Sequence, residues 1–144
     1  MHRNTYVNAP ALLAPGHRVR STARTYLAGQ LVGVEGYLES AMSGLVAALN
    51  VAAAVAGADE VVFPDDTAIG SLVRYITTAQ RDFAPMNATW GLFPRLDDAL
   101  QHADKRARAR SHLARARDSF ARFLGSRPDL VAQPVAAAEL AAAL

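Results

Sequence analysis

Apolar residues recur along this chain mostly at helical spacing. Leu38, Met42, Leu45 and Leu49 alternate steps of four and three, which predicts a helix over 37–56 with these residues on its buried face. Ser40, Gly44, Ala48 and Ala52 recur every four residues on a neighbouring face. A glycine inside a helix costs about 1 kcal/mol against alanine, so Gly44 predicts close packing there. Gly57 is the expected stop, with Pro64 in the loop that follows. Asp66 or Thr67 is the expected N-cap of a second helix, with Ile69, Leu72, Val73 and Ile76 as its apolar stripe. A third helix is expected over 97–124, stopped by Gly125.

Strand-like patterning is confined to two short stretches, 17–20 and 24–28, between Pro15-Gly16 and a glycine-spaced turn. Residues 81–95 read as an ordered loop, because Phe83, Met86, Trp90 and Phe93 are too apolar for a free linker. The expectation is a mainly α fold with a few short strands, one unit over 1–125 and a flexible Pro/Ala-rich tail over 126–144.

Charge sharpens this picture only locally. The chain carries +2 overall, yet the window 105–122 holds seven basic residues and one acid. Lys105, Arg108, His112, Arg115 and Arg122 fall at three-, four- and seven-residue steps and so share one helix face. Such a stripe can track a phosphate backbone. The plainer reading is a solvated face with Asp104–Arg108 and Asp118–Arg122 pairs, worth about 0.2–0.5 kcal/mol each. There is no cysteine, which excludes disulfides, thiolate metal sites and a cysteine nucleophile within this chain. The polar N-terminus does not read as a secretory signal. The apolar run 41–57, interrupted by Ser43 and Asn50, falls short of the ~20 strongly apolar residues of a span. A buried helix in a cytoplasmic protein, with no membrane contact, is expected.

The segment with most chemistry is AGQLVGVEGYLES, residues 28–40: a strand end, a glycine-rich turn and a helix start. Glycines permit positive φ and close approach of a ligand. The helix N-terminus offers unpaired N–H groups to a phosphate or to a polarised carbonyl edge.

AGQLVGVEGYLES resembles the flavin-site segment of the glucose-inhibited-division family of tRNA-modifying flavoproteins. Its VEGYLES form is similar to the folate-dependent uracil methyltransferase branch; the wobble-uridine branch more usually carries a TTGYEEA-like sequence. MHRNTYVNAPALL at 1–13, TAIGSLVRYIT at 67–77 and FAPMNATWGLFPRL at 83–96 resemble further segments of the same branch, in the same order. The resemblance implies the C-terminal part of a Rossmann-like FAD-binding α/β domain. It implies reductive methylation of the T-loop uridine of tRNA, with methylenetetrahydrofolate giving the carbon and FAD with NAD(P)H the reducing equivalents. Gly29, Gln30, Gly33, Glu35, Gly36 and Tyr37 are then expected at the flavin, with His2, Arg3, Asn4 and Asn87 lining the flavin or folate pocket and Lys105, Arg108, His112, Arg115 and Arg122 facing tRNA. Met86 is expected to pack in the core.

This chain departs from the family in two places. It contains neither a GxGxxG pyrophosphate turn nor the cysteine on which the uracil chemistry depends. Met1 coincides with what looks like an internal methionine of the longer proteins. Catalysis by this chain alone is therefore not expected, and a separately encoded N-terminal half is the partner that would complete it. Alone, the chain is expected to aggregate or fold only in part. The alternatives are the wobble-uridine branch and a non-enzymatic RNA-binding remnant.

Overall fold

The computed structural model describes residues 5–130 and is mainly helical. In chain order, α1 spans Ala9–Leu12, α2 Tyr37–Ala56, α3 Ala68–Thr77, α4 Asp98–Gln101 and α5 Lys105–Ser126. Short 3-10 turns lie at Gly29–Val32, Trp90–Leu92 and Pro128–Leu130. Among the described residues the β-prone stretches form only isolated bridges: Leu13 with Val19 and Arg18 with Tyr26 antiparallel, and Val34 with Met86 parallel.

The helix ends follow their caps. Gly57 closes α2 in the left-handed region at φ 66°. Thr67 opens α3 with its side chain accepting from Gly70 N. The expected helix over 97–124 is instead two helices. Asp104 is extended, and its Oδ1 accepts from Arg106 N at 2.7 Å and Ala107 N at 3.0 Å. An aspartate that satisfies two first-turn N–H groups starts a helix at its own position, so α5 begins there. Gly125 does not stop α5, which runs on to Ser126. Arg127 then pairs with Asp129 at 2.8 Å, and Leu130 packs against the core; residues 131–144 lie outside the described residues.

Helix α3 lies between two apolar clusters. Leu72 and Ile76 pack with Ala9, Leu13, Val19, Val32 and Val34. Val73 packs with Val46, Ala53, Val61 and Phe63. Gly70 lets α3 approach the preceding loop: a Cβ there would lie 2.0 Å from the Pro64 carbonyl oxygen.

Helix α2 buries only part of the expected face: Met42 and Leu49 are half-buried and pack against the two clusters, while the deepest side belongs to other residues. Its buried residues are Ser43, Val46, Ala47, Asn50 and Ala53. Leu38 is 70% exposed, Leu45 49% and Val55 84%, while Gly44 has open space where a Cβ would go. The reason is polar. Asn50 Nδ2 donates to the Val46 and Val61 carbonyls at 2.9 and 3.0 Å, and its Oδ1 accepts from Val61 N at 2.8 Å. Turning Leu45 inward would turn Asn50 away and leave Val61 unpaired in the core. Over Tyr37–Ala56, α2 reaches the length and mean hydropathy (1.5) that a membrane span requires, contrary to the expectation from the run 41–57. That test uses length and composition only, and the buried Ser43 and Asn50 serve the core.

Two predictions follow from this face. Asn50→Ala strands the Val61 N–H and C=O and should cost about 3 kcal/mol in urea unfolding; a loss below about 1 kcal/mol would show that water replaces the amide. Leu38→Lys with Val55→Lys should change stability by no more than about 0.5 kcal/mol each, because both side chains are exposed. The same pair should lower self-association in sedimentation velocity.

Candidate functional site

The two non-helical motif segments meet through their backbones. Glu35 N donates to the Met86 carbonyl at 3.0 Å, and Met86 N donates to the Gly33 carbonyl at 3.1 Å. This parallel bridge lays residues 85–87 along the glycine-rich turn. Asn87 Nδ2 then donates to the Glu35 carbonyl at 2.8 Å, and Glu39 Oε1 accepts from Ala88 N at 3.0 Å. Gly36, at φ 102°, leaves room for that carboxylate, since a Cβ there would fall 2.2 Å from Glu39 Oε2. Met86 is half-buried, and its backbone rather than its side chain makes this link.

On the outer side of the turn is an open cleft of about 440 Å³ lined by Gly29, Gln30, Gly36, Tyr37 and Ser40. It sits at the start of α2. No side chain caps that N-terminus, so first-turn N–H groups remain available. Tyr37 is 99% exposed and packs on nothing described, so its ring is free to cover a ligand. Gly29, Gln30, Gly36 and Tyr37 are thus brought together as expected. Gly33 turns inward, where a Cβ would strike the Phe83 ring at 2.4 Å, and the Glu35 side chain is outside the lining. His2, Arg3 and Asn4 lie outside the described residues. Ser40 lines the cleft without having been expected there, although it closes the same motif.

Behind the turn is a residue that the sequence does not mark. His17 is fully buried at φ 67°, a region few non-glycine residues adopt. Its Nδ1 lies 3.4 Å from Ser43 Oγ, which accepts from Gly29 N at 3.1 Å. Its Nε2 has no partner among the described residues. Burial pushes its pKa down to about 4, against weaker support from hydrogen bonds with Ser43 and Leu27. The folded chain therefore holds His17 neutral behind the glycine turn.

The basic stripe is divided rather than shared. Arg115 points inward: its Nε pairs with Asp66 Oδ1 at 3.1 Å, NH1 donates to the Arg95 carbonyl at 2.9 Å and NH2 to the Pro94 carbonyl. Ser119 Oγ donates to Asp66 Oδ2 at 2.9 Å, and Arg122 NH2 donates to Ser119 Oγ at 3.0 Å. His112 is buried and stacks on Trp90, ring centres 5.3 Å apart. Its pKa is lowered by burial and then by the Arg115 and Arg108 charges. Lys105 and Arg108 stay exposed. The expected Asp104–Arg108 and Asp118–Arg122 pairs do not form. Asp104 caps α5 instead, and Arg122 turns to Ser119.

The His17 geometry gives a pH prediction. Its folded pKa lies below the ordinary 6.5, so the unfolded chain binds the proton more readily. The stability it contributes is complete above pH 6.5 and is lost as pH falls towards 4. The 2.5-unit difference between those values corresponds to about 3 kcal/mol. Unfolding free energies from pH 7.5 to 4.5 should show this slope, and His17→Asn, which tolerates the backbone, should flatten it. A parallel slope in the variant would assign the effect to another group.

Comparison with known proteins fits this geometry. The family model described as glucose inhibited division protein A matches residues 1–59. A protein of Heliobacterium modesticaldum named "Methylenetetrahydrofolate--tRNA-(uracil-5-)-methyltransferase TrmFO" is 50% identical over 125 residues, 86% of this chain and 28% of the relative. Proteins of the same name from Geobacter sulfurreducens and Bacillus subtilis are 52% and 49% identical over 75% and 74% of this chain, each match taking 25% of the relative. The chain thus spans about a quarter of the length of these relatives. Over most of its own length, and at about half identity, the chain is similar to relatives that carry the uracil methyltransferase name, and its first 59 residues match the glucose inhibited division protein A model.

Proposed function

We infer that this chain supplies one wall of the flavin site of a folate- and FAD-dependent tRNA uracil-C5 methyltransferase, and that it does not catalyse methyl transfer alone. One observation carries the reading: the two motif segments, 29–37 and 85–87, are locked together by backbone hydrogen bonds beside an open cleft at an uncapped helix start.

The cleft suits the ring end of a flavin. First-turn N–H groups of α2 would suit a carbonyl edge that gains negative charge on reduction. Tyr37 offers aromatic area for stacking. Gly29 and Gly36 let the ring come close to the backbone, and Gln30 and Ser40 offer polar contacts at the rim. Asn87 and Glu39 hold the turn in shape from behind. When bound, FAD supplies the reducing equivalents, drawn from NAD(P)H, and methylenetetrahydrofolate the carbon. This chain's residues position the ring and exclude water from one side of it. This sequence contains neither a GxGxxG turn nor a cysteine, so on this reading the pyrophosphate grip and the reacting thiol come from outside it.

A chimera tests this. The corresponding segment of the Bacillus subtilis relative is replaced by residues 5–130 of this chain. The chimera should purify yellow and keep folate-dependent methylation of tRNA. Tyr37→Ala in the chimera should lower flavin retention about tenfold, as expected for loss of one stacking face. A folded but colourless chimera would overturn the flavin-wall reading and leave a binding remnant.

A further inference from the structure

We propose that the cleft between α5 and the loop at residues 90–95 binds RNA in an unpaired loop, one base against Trp90 and the neighbouring phosphates on Arg95, Lys105 and Arg108. This rests on the tRNA-directed reading above and names the surface that would meet the nucleic acid.

The cleft measures about 370 Å³, room for a nucleotide unit, and is separate from the one at Gly36 and Tyr37. Its floor is a packed aromatic cluster. Trp90 lies 4.9 Å from Phe93 and 5.3 Å from His112, the latter nearly parallel at 19°, and Phe93 meets His112 edge-on at 5.5 Å. Despite these neighbours Trp90 keeps 49% of its surface exposed. A large aromatic held rigid and yet half open is what a stacking platform requires, because no ordering cost remains to be met on binding. His112 adds a third ring to the cluster.

The rim is cationic. Arg95, Lys105 and Arg108 line the cleft, all three exposed, and none makes an ion pair with another described residue. They come from two elements, so the charge follows the cleft rather than the axis of α5. Arg115 fixes that arrangement from below by holding the carbonyls of Pro94 and Arg95 while it pairs with Asp66. Stacking selects unpaired bases, since a base inside a duplex offers no free face. Three cations around one cleft favour a chain of phosphates over a single anion.

Trp90 is the only tryptophan in the sequence, so its fluorescence reports on this cleft directly. The full chain is titrated with an RNA hairpin carrying an unpaired loop, with the same RNA annealed to its complement, and with uridine monophosphate. The hairpin should quench Trp90 and bind more tightly than the duplex. Lys105→Ala with Arg108→Ala should weaken hairpin binding about tenfold and reduce the salt slope by about two. Arg110→Ala with Arg117→Ala removes equal charge from α5 outside the cleft and should leave affinity within about twofold. Trp90→Leu should reduce the preference for hairpin over duplex by about fivefold or more.

Equal weakening by the two double variants would reduce the cleft to diffuse charge and overturn the proposal. So would unchanged Trp90 emission, or uridine monophosphate binding as tightly as the hairpin. Flavin retention in the chimera does not depend on these residues. A yellow chimera with no cleft effect sinks this inference alone, and a colourless chimera sinks the flavin reading first.

Discussion

Buried backbone groups must be paired, and the described part of this chain has no extended ladder to pair them. That constraint organises most of the structure. The long loops at 13–36, 57–66 and 79–96 find some partners in one another and others on helix side chains. Asn50 of α2 serves Val61, and Ser43 serves Gly29. Glu39 serves Ala88, and Tyr75 of α3 serves Ala84. Arg115 of α5 serves Pro94 and Arg95. Helices α2 and α5 therefore face inward by polar side chains as well as apolar ones. The rotation of α2 follows directly: a stranded Val61 would cost more than the partial burial of Leu45 and Leu38 would return.

The same constraint shapes the glycine-rich cleft. Its form comes from backbone bonds between residues 33–35 and residue 86, with side chains acting as braces behind it. A cleft built this way presents little side chain of its own: two glycines, a glutamine, a serine and one unsupported tyrosine. It offers N–H groups and flat space, which suit a large planar ligand with a polar edge, and its two hydroxyls, on Tyr37 and Ser40, have no carboxylate, histidine or lysine beside them in the lining. On the proposed reading this wall holds a ring in place, and the reacting groups come from elsewhere.

How much of this the sequence makes legible depends on the kind of signal. The span of α2, its stop at Gly57 and the Thr67 cap are local events, decided by propensity and one or two hydrogen bonds, and they read directly from the residues. The motif order along 28–40 and 83–96 points to one site, and the structure joins them. Orientation is another matter. Periodicity places Leu38, Met42, Leu45 and Leu49 on one face but does not say whether that face wins. Ser43 and Asn50, which look like interruptions of an apolar run, are the residues the helix buries, because their partners lie 14 and 11 residues away in loops without pattern. His17 is invisible for the same reason: its burial is decided by Ser43, 26 residues on.

Helix α5 shows why counting charge along a helix overstates the charge it presents. Its two buried residues, His112 and Ser119, are both polar, and a few contacts fix its position. Asp66 is the central one, accepting from Ser119 and pairing with Arg115. A partly buried carboxylate that meets a guanidinium and a hydroxyl in one place contributes more than an exposed pair, because both groups have already given up much of their water. Satisfying it consumes Arg115 and draws Arg122 to Ser119. The stripe read from the sequence is thereby split: part becomes an internal fastening, and Lys105 with Arg108 is left outside. The fastening also holds the 94–95 carbonyls, and with them the Arg95 side chain, which no spacing along α5 could include. The charge this stripe still presents is smaller than the sequence suggests, but Lys105 and Arg108 lie with Arg95 beside the one tryptophan, where a charge and a ring can act on the same ligand.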